Sequence, residues 1–400
     1  WQEKFKAKIS MNVIIVGGGM AGATLALALS ALNKGNISIS LIEAREPDNG
    51  HPGFDARAIA LAHGTAKRLA QIGLWSVLKP FVTPINHVHV SDRGHCGFVN
   101  INAQDYDIDA LGYVIELHDA GRQLFAQLKK QPNITLYCPA KVEHVQRHLD
   151  NVEVTLDDGT QLSGDLLVAA DGTHSPIGHQ CHIQWQKTPY HQVAVIANVK
   201  TEIDPKGCAF ERFTQFGPLA MLPMSEGRSS LVWCHPIEKL EQVSQWDDQT
   251  TIAQLQRDFG WRLGKIEQVG QRHCYPLVLQ KAQQMISHRL ALIGNASQTL
   301  HPIAGQGFNL GLRDVMTLAN TLTSAIQSGL DIGSYRVLSQ YQQLREQDRE
   351  STITITDGLV KVFANRCMPL IISRNLGLMT MELVPALRNK LAHQTLGWTN

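Results

Sequence analysis

Apolar positions open the chain in two different rhythms. Residues 12–16 (N-V-I-I-V) form a short β-branched run, and residues 20–32 form a longer run rich in Ala and Leu. Gly17, Gly18 and Gly19 separate them. The first run predicts a buried strand and the second a helix, with a turn between. A second strand is predicted over 37–42, a long helix over 56–72, a strand at 87–91 and an amphipathic helix over 119–130. Strands follow at 142–145, 152–156, 166–170, 193–199, 208–214, 220–223, 229–234 and 290–293. Helices are predicted over 309–327 and 334–363. The tail, 369–397, reads as short helices with apolar faces (Leu376, Leu378, Met379, Leu383, Leu387, Leu391), favoured as a packing pair over a membrane-touching surface. Helix-and-strand segments at both ends therefore enclose a β-rich middle, the pattern of an α/β fold with an inserted sheet.

Composition narrows this picture without changing it. The chain has 400 residues, 44% of them hydrophobic, enough for a large core and about two domains. A net charge of +1 without a basic run gives no reason to expect nucleic acid as a partner. Seven scattered cysteines, none spaced C-x-x-C, fit a reducing compartment and point away from a disulfide framework or zinc site. Residues 11–32 are almost free of charge and follow Lys4, Lys6 and Lys8, which imitates an export signal. The three glycines and the change of rhythm argue for strand, turn and helix instead, so a cytoplasmic protein is expected. Residues 1–10 are set aside as an extension upstream of Met11.

The turn carries the first chemistry. Gly17, Gly19 and Gly22 occupy the positions of G-x-G-x-x-G. Gly17 permits the tight turn off the strand, Gly19 lets backbone approach a pyrophosphate where a Cβ would collide, and Gly22 lets helix and strand pack closely. Met20 and Ala21 begin the helix, whose free N–H groups face the phosphates. Glu43 ends the second predicted strand about twenty residues on and can accept from both ribose hydroxyls. It would repel a 2′-phosphate, so the adenosine belongs to FAD or NAD.

Two later segments favour the flavin. In 165–178 (D-L-L-V-A-A-D-G-T-H-S-P-I-G) a buried strand ends at Asp171-Gly172, where an acid can sit beside a cofactor. In 289–314 (R-L-A-L-I-G-N-A-S-Q-T-L-H-P-I-A-G-Q-G-F-N-L-G-L-R-D) another strand ends at Gly294-Asn295. Gly305 and Gly307 then precede a helix expected to start near Asn309. That second helix opening can aim N–H groups at a polar, electron-accepting ring such as the pyrimidine edge of a flavin.

Together these segments resemble the single-component flavoprotein aromatic hydroxylases of the para-hydroxybenzoate hydroxylase class. The run 301–314 is similar to the signature of the ubiquinone-biosynthesis hydroxylases, and Gly-Asn-Ala followed by His-Pro looks closest to the 2-octaprenyl-6-methoxyphenol hydroxylase branch. The resemblance spans nearly the whole chain from Met11. It implies a Rossmann-like FAD-binding domain made of 11–80, 105–185 and 272–345, a β-sheet substrate domain made of 81–104 and 186–271, and a helical C-terminal region, 346–400. It implies that Gly17, Gly19, Gly22 and Glu43 hold the ADP half of FAD. Arg57 would lie near flavin and pyrophosphate, Asn295 would take the place of the ribityl-binding aspartate, and Pro302, Gly305, Gly307, Phe308 and Asn309 would line the isoalloxazine. Three positions depart from the family: Asn295 stands where most relatives have Asp, Gly178 where most have Arg, and His118 lies where many carry Arg.

The resemblance implies a reaction as well. A single dinucleotide turn suits NAD(P)H as a transient co-substrate, which reduces the flavin and leaves. O₂ would then form a flavin C4a-hydroperoxide that oxygenates a polyprenylated phenol. The apolar tail of that phenol calls for an apolar lining, with Leu219, Met221, Leu222 and Met224 as candidates, and for peripheral contact with the inner membrane and other ubiquinone-biosynthesis proteins. No protein nucleophile is needed. His301 and Pro302 are the candidate catalytic residues. His87 and His89 sit two apart on a strand without a carboxylate or cysteine partner, so no metal is expected. Two alternatives stand beside this reading: another single-turn flavoenzyme, such as a reductase or oxidase, and a non-catalytic flavoprotein of a biosynthetic complex, which the departures at Asn295 and Gly178 keep open.

Overall fold

The computed structural model describes residues 11–47, 53, 56–302, 305–363 and 375. Six strands form the first sheet, in the order Ile286–Ser287, Leu290–Leu292, Leu166–Ala169, Asn12–Val16, Ser38–Ile42, Ile134–Tyr137. All but the first run parallel. The glycine-turn strand is central, and both its faces are covered. Val13 and Ile15 meet the helices Met20–Leu32, Leu117–Leu128 and Gln306–Gln327, while Ile14 packs with Val152 and Val154 of a small antiparallel sheet. Double coverage is why this strand reads as an unbroken apolar run instead of alternating.

The second sheet has nine strands. Its main path runs Gln298–Thr299, His273–Ala282, Trp185–Thr201, Arg228–Pro236, Gly217–Pro223, Cys208–Thr214, His87–Asp92, Phe98–Asn102, and Ile266–Val269 pairs with Trp185–Thr201. Side chains alternate across it. Val195, Leu219, Met221, Leu231 and Trp233 point to one face and pack with Leu255 and Phe259 of the helix Asp248–Phe259. Val88, Ala209 and Leu222 point to the other and pack against Ala58, Ala60 and Val114. Leu219 and Met221, expected to line a substrate channel, are thus core residues beneath a helix. Leu222 and Met224 are the pair on the opposite side, toward Ala58, Ala60 and Val114.

The long helix expected over 56–72 is corrected. Ala58–Ala62 is a strand, paired antiparallel with Gly112–Glu116, and only His63–Gln71 is helical. Ala and Leu favour helix locally, but the ladder to Gly112–Glu116 and burial of Leu61 outweigh that preference. The helix expected from about Asn309 begins at Gln306. The one expected over 334–363 is found as Tyr335–Phe363 and runs unbroken across the expected boundary at 346. The tail at 369–397 lies outside the described residues apart from Asn375.

Candidate cofactor site

Local geometry makes the first turn. Gly17 has φ +102°, and a Cβ there would overlap the Ala170 carbonyl. A Cβ at Gly22 would overlap the Gly17 carbonyl. These two glycines are needed by the protein's own packing. Gly19 differs: a Cβ there would meet nothing within 4 Å. The space beside it is open, and the helix starting at Met20 has no side-chain cap. Its first N–H groups are therefore available to an anion. Met20 and Ala21 are partly exposed in that first turn. Glu43 follows the strand Ser38–Ile42, its Oε2 accepting from Gly18 N–H at 2.5 Å and its Oε1 from Arg45 N–H at 2.9 Å. The carboxylate thus stands at the rim of the turn with lone pairs left for ribose hydroxyls.

The second opening is brought to the first through Gly294. This residue has φ +60°, and its Cβ would lie 3.2 Å from Ala21 Cβ. On its far side, a Cβ at Gly311 would lie 3.0 Å from Gly294 Cα. The turn after Leu290–Leu292 is therefore clasped between the first turn of Met20–Leu32 and the second turn of Gln306–Gln327. Two helix N-termini converge on one side of the parallel sheet. Gly305, at φ +61°, caps the later helix without a side-chain bond, and Gly307 faces open space. Phe308 is partly exposed, and Asn295 is exposed on the turn.

Other expected residues take different positions. The Asn309 side chain is 2% exposed and fully engaged. Its Oδ1 accepts from Ala62 N–H (2.8 Å) and Thr65 Oγ1 (2.7 Å), and its Nδ2 donates to the carbonyls of Ala60 (3.1 Å) and Gly305 (2.7 Å). It ties the strand Ala58–Ala62 to the helix opening. Arg57 is exposed just before that strand, and its carbonyl accepts from Leu117 N–H at 2.8 Å. Asp171 accepts from Ser175 Oγ (2.6 Å) and Ile177 N–H (2.9 Å), which holds its own turn. At Gly178 a Cβ would overlap the Trp185 ring, whose Nε1 donates to Ala296 O at 3.0 Å. Trp185 braces the Gly294 turn from behind, and glycine at 178 leaves room for its ring. His87 and His89 are paired with Asn102 and Asn100.

His301 is 1% exposed. Gln192 Nε2 donates to the Phe216 carbonyl at 3.0 Å, so Gln192 Oε1 is the atom left to accept from His301 Nε2, 2.9 Å away. The backbone carbonyl thereby fixes the imidazole as its Nε2–H tautomer. Tyr190 meets the ring edge-on at 5.1 Å. Burial pushes the His301 pKa down to about 4. His235, packed 4.2 Å from the Trp233 ring, is also lowered to about 4 by burial, with Lys239 adding to it. Pro302 is half-buried beside His301.

These two shifts predict a stability profile. From pH 6.5 to 4 the unfolded chain takes up protons on both histidines while the folded chain does not. Stability should therefore fall as pH drops through that window, by about 3 kcal/mol per histidine. Urea midpoints at pH 7 and 4.5 measure the loss, and His235→Phe should remove its share of the slope. An equal slope in that variant contradicts the assignment.

The residues present fit a dinucleotide that carries a ring. There is open space beside Gly19 and Gly307, two uncapped helix ends lie together, and an acid stands at the rim of the first turn. Residues 10–354 match the family described as FAD binding domain. The chain belongs to that family. It is 37% identical to ubiquinone hydroxylase UbiL of Rhodospirillum rubrum, over 96% of this chain and 89% of the relative. It is 30% identical to the 3-demethoxyubiquinol 3-hydroxylase of Escherichia coli, over 96% and 98%. Among solved structures, p-nitrophenol 4-monooxygenase PnpA from Pseudomonas putida superposes with a TM-score of 0.82 at 18% identity, covering 96% of this chain and 98% of that one. The fold is therefore that of the flavin monooxygenases, and the protein is an FAD-dependent oxidoreductase of that type. Sequence reasoning missed Trp185, the Gln192 link to His301 and the acid Asp314 behind the turn, because each contact joins residues distant in the chain.

Proposed function

We propose that this protein hydroxylates a polyprenylated phenol of ubiquinone biosynthesis, of the 2-octaprenyl-6-methoxyphenol kind, using O₂ and NAD(P)H as transient co-substrate. The observation that carries the reading is the clasp of Ala21, Gly294 and Gly311, which brings the two helix openings together. The names of the relatives support the substrate class. Bound FAD supplies electron transfer and activation of O₂. The chain's own part is to bind and orient. Gly17, Gly19, Met20, Ala21 and Gly22 cradle the pyrophosphate, and Glu43 accepts from ribose. Asn295 lies on the path of the ribityl chain, Arg57 stands near the flavin, and Gly305, Gly307 and Phe308 face the ring. Asn309 holds that opening in shape from behind. His301 stays neutral at physiological pH and, with Pro302, forms a dry wall of the site. The substrate lies between the nine-stranded sheet and the FAD-binding part. Its lipid tail favours a membrane-surface encounter and association with other proteins of the same pathway. No helix among the described residues is long and apolar enough to cross a membrane.

The test is oxygen incorporation. FAD-loaded protein given NAD(P)H, ¹⁸O₂ and a 2-polyprenylphenol should yield labelled catechol, with NAD(P)H consumption stimulated by the phenol. Phenol-independent oxidation of an amine, without labelled product, contradicts the proposal. Glu43→Ala should weaken FAD binding by roughly 10- to 100-fold, from the loss of charge-assisted hydrogen bonds, and leave the hydroxylated ring position unchanged. A changed product would place Glu43 at the ring.

A further inference from the structure

The turn that follows the helix Asp248–Phe259 is tied down on its inner side and apolar on its outer side. Gln256, in the last turn of that helix, laces it. Its Nε2 donates to the carbonyls of Gly260 (2.7 Å) and Gly264 (3.1 Å), and its Oε1 accepts from Ile266 N–H at 2.8 Å. Gly264 N–H donates to the Trp261 carbonyl at 3.0 Å, and Phe259 and Leu263 on either side are buried. Trp261 itself is 70% exposed. The neighbouring loop joins through Ile203 N–H, which donates to the Leu263 carbonyl at 3.0 Å, and Ile203 is 50% exposed. Two large apolar side chains thus stand in water on backbone that is held in place, so their exposure belongs to the fold and not to a loose loop. The surroundings are basic. Arg257, Arg262 and Lys265 in this turn and Lys206 in the neighbouring loop are exposed. The acids of the two loops are buried or engaged. Asp258 is 3% exposed, with Arg93 at 3.4 Å and Arg257 at 3.6 Å. Glu202 accepts from Lys265 N–H at 2.9 Å, and Asp204 from Lys206 N–H at 2.8 Å. Two nearby groups register the positive field: burial lowers the pKa values of Arg212 and His89, and the Arg262 charge lowers both further.

We propose that this turn docks the nine-stranded sheet on an anionic lipid surface, with Trp261 and Ile203 entering the headgroup layer and Lys206, Arg257, Arg262 and Lys265 set on the phosphates around them. The inference gives the membrane encounter proposed above a place on the molecule, and it rests on that reading only for its purpose. An indole ring is amphipathic and settles at the depth of the headgroups, with its apolar body inward and its N–H toward water. Arg and Lys lay their apolar stems along the same layer and keep the charged end among the phosphates. Anionic headgroups complement the cations that flank the apolar pair. An acidic protein would complement them too. What favours lipid is the arrangement: the apolar pair stands out from two turns. A protruding tip enters a fluid layer directly, whereas a protein partner would need a matching cleft.

The experiment sediments FAD-loaded full-length protein with vesicles of phosphatidylcholine, alone or mixed with phosphatidylglycerol. The wild type should pellet with the anionic vesicles, and added salt should release it. Arg257→Gln combined with Arg262→Gln should weaken that binding by roughly fivefold for each cation removed. Trp261→Ser should weaken it by about tenfold. Bromine-labelled phosphatidylglycerol should quench the tryptophan emission of the wild type more than that of Trp261→Ser. The variants should keep wild-type thermal stability, FAD content and NAD(P)H oxidation stimulated by a short-chain phenol in solution. Wild-type protein that stays in solution with anionic vesicles overturns the proposal, and so does a Trp261→Ser variant that binds and is quenched like the wild type. Either result leaves the hydroxylase reading standing if the short-chain phenol is still oxygenated. Wild-type dimers that Trp261→Ser turns into monomers, without vesicle binding, give the face to a second copy of the chain and overturn the lipid assignment as well. Vesicle binding as expected, with no phenol stimulating NAD(P)H oxidation, supports this surface and overturns the hydroxylase reading alone.

Discussion

Gly19→Val is expected to give folded, colourless protein. The backbone at Gly19 is extended (φ −64°, ψ −173°), a conformation that any residue adopts, and its Cβ would meet nothing within 4 Å. The fold therefore tolerates Val. The ligand does not, because the open space beside Gly19 is where the pyrophosphate must lie against bare backbone. A branched side chain there should cost at least on the order of 3 kcal/mol of binding, about 100-fold in FAD affinity. Gly22→Val is the control with the opposite cause. Its Cβ would overlap the Gly17 carbonyl, so that variant should fail to fold whether or not FAD is supplied. Flavin absorbance of purified protein, with thermal unfolding of the same samples, separates the two. Yellow Gly19→Val protein with a normal flavin content contradicts the assignment of this turn.

The contrast between those glycines shows which parts of the site are legible in a sequence. Gly22 packs on Gly17 and Glu43 bonds Gly18, contacts within one strand–turn–helix–strand unit, so their spacing carries the information. The strand Ala58–Ala62 does not announce itself, because alanine alternating with Arg57, Ile59 and Leu61 satisfies a helix locally. The period of two is visible there, yet the ladder to Gly112–Glu116 decides, and that partner is fifty residues away. Leu219 and Met221 are apolar on a strand whose alternation gives two faces, and only the helix Asp248–Phe259 decides that theirs is core. Asn309 was placed at the ring by resemblance. Its amide bonds the backbone of Ala60, Ala62 and Gly305 and the Thr65 hydroxyl, contacts that the motif does not announce.

Arg345→Met should be the most destabilising single change outside the glycine turn. Arg345 reaches from the helix Tyr335–Phe363 to Asp314, which is 0% exposed, with Nε 2.8 Å from Oδ1. It also bonds Asp348, which Arg313 Nε holds at 2.8 Å. Burial disfavours the charged guanidinium, but Asp314 and Asp348 outweigh it and its pKa is raised. The other oxygen of Asp314 accepts from Gly294 N–H at 3.2 Å and Gln298 Nε2 at 2.7 Å. Asp314 is thus the link through which this helix grips the turn between the two cofactor-facing openings. Methionine keeps the length of the side chain but strands a buried carboxylate with neutral donors only, a change that typically costs about 3–5 kcal/mol. The urea midpoint at pH 7 should fall accordingly. FAD affinity should fall with it, because the Gly294 turn loses its brace. Adding Asp314→Asn should restore part of the stability, since an amide tolerates burial without a cation and its oxygen still accepts from Gly294 N–H. If the double variant is less stable than Arg345→Met alone, the stranded charge is not the cause, and the loss belongs to packing of the arginine stem.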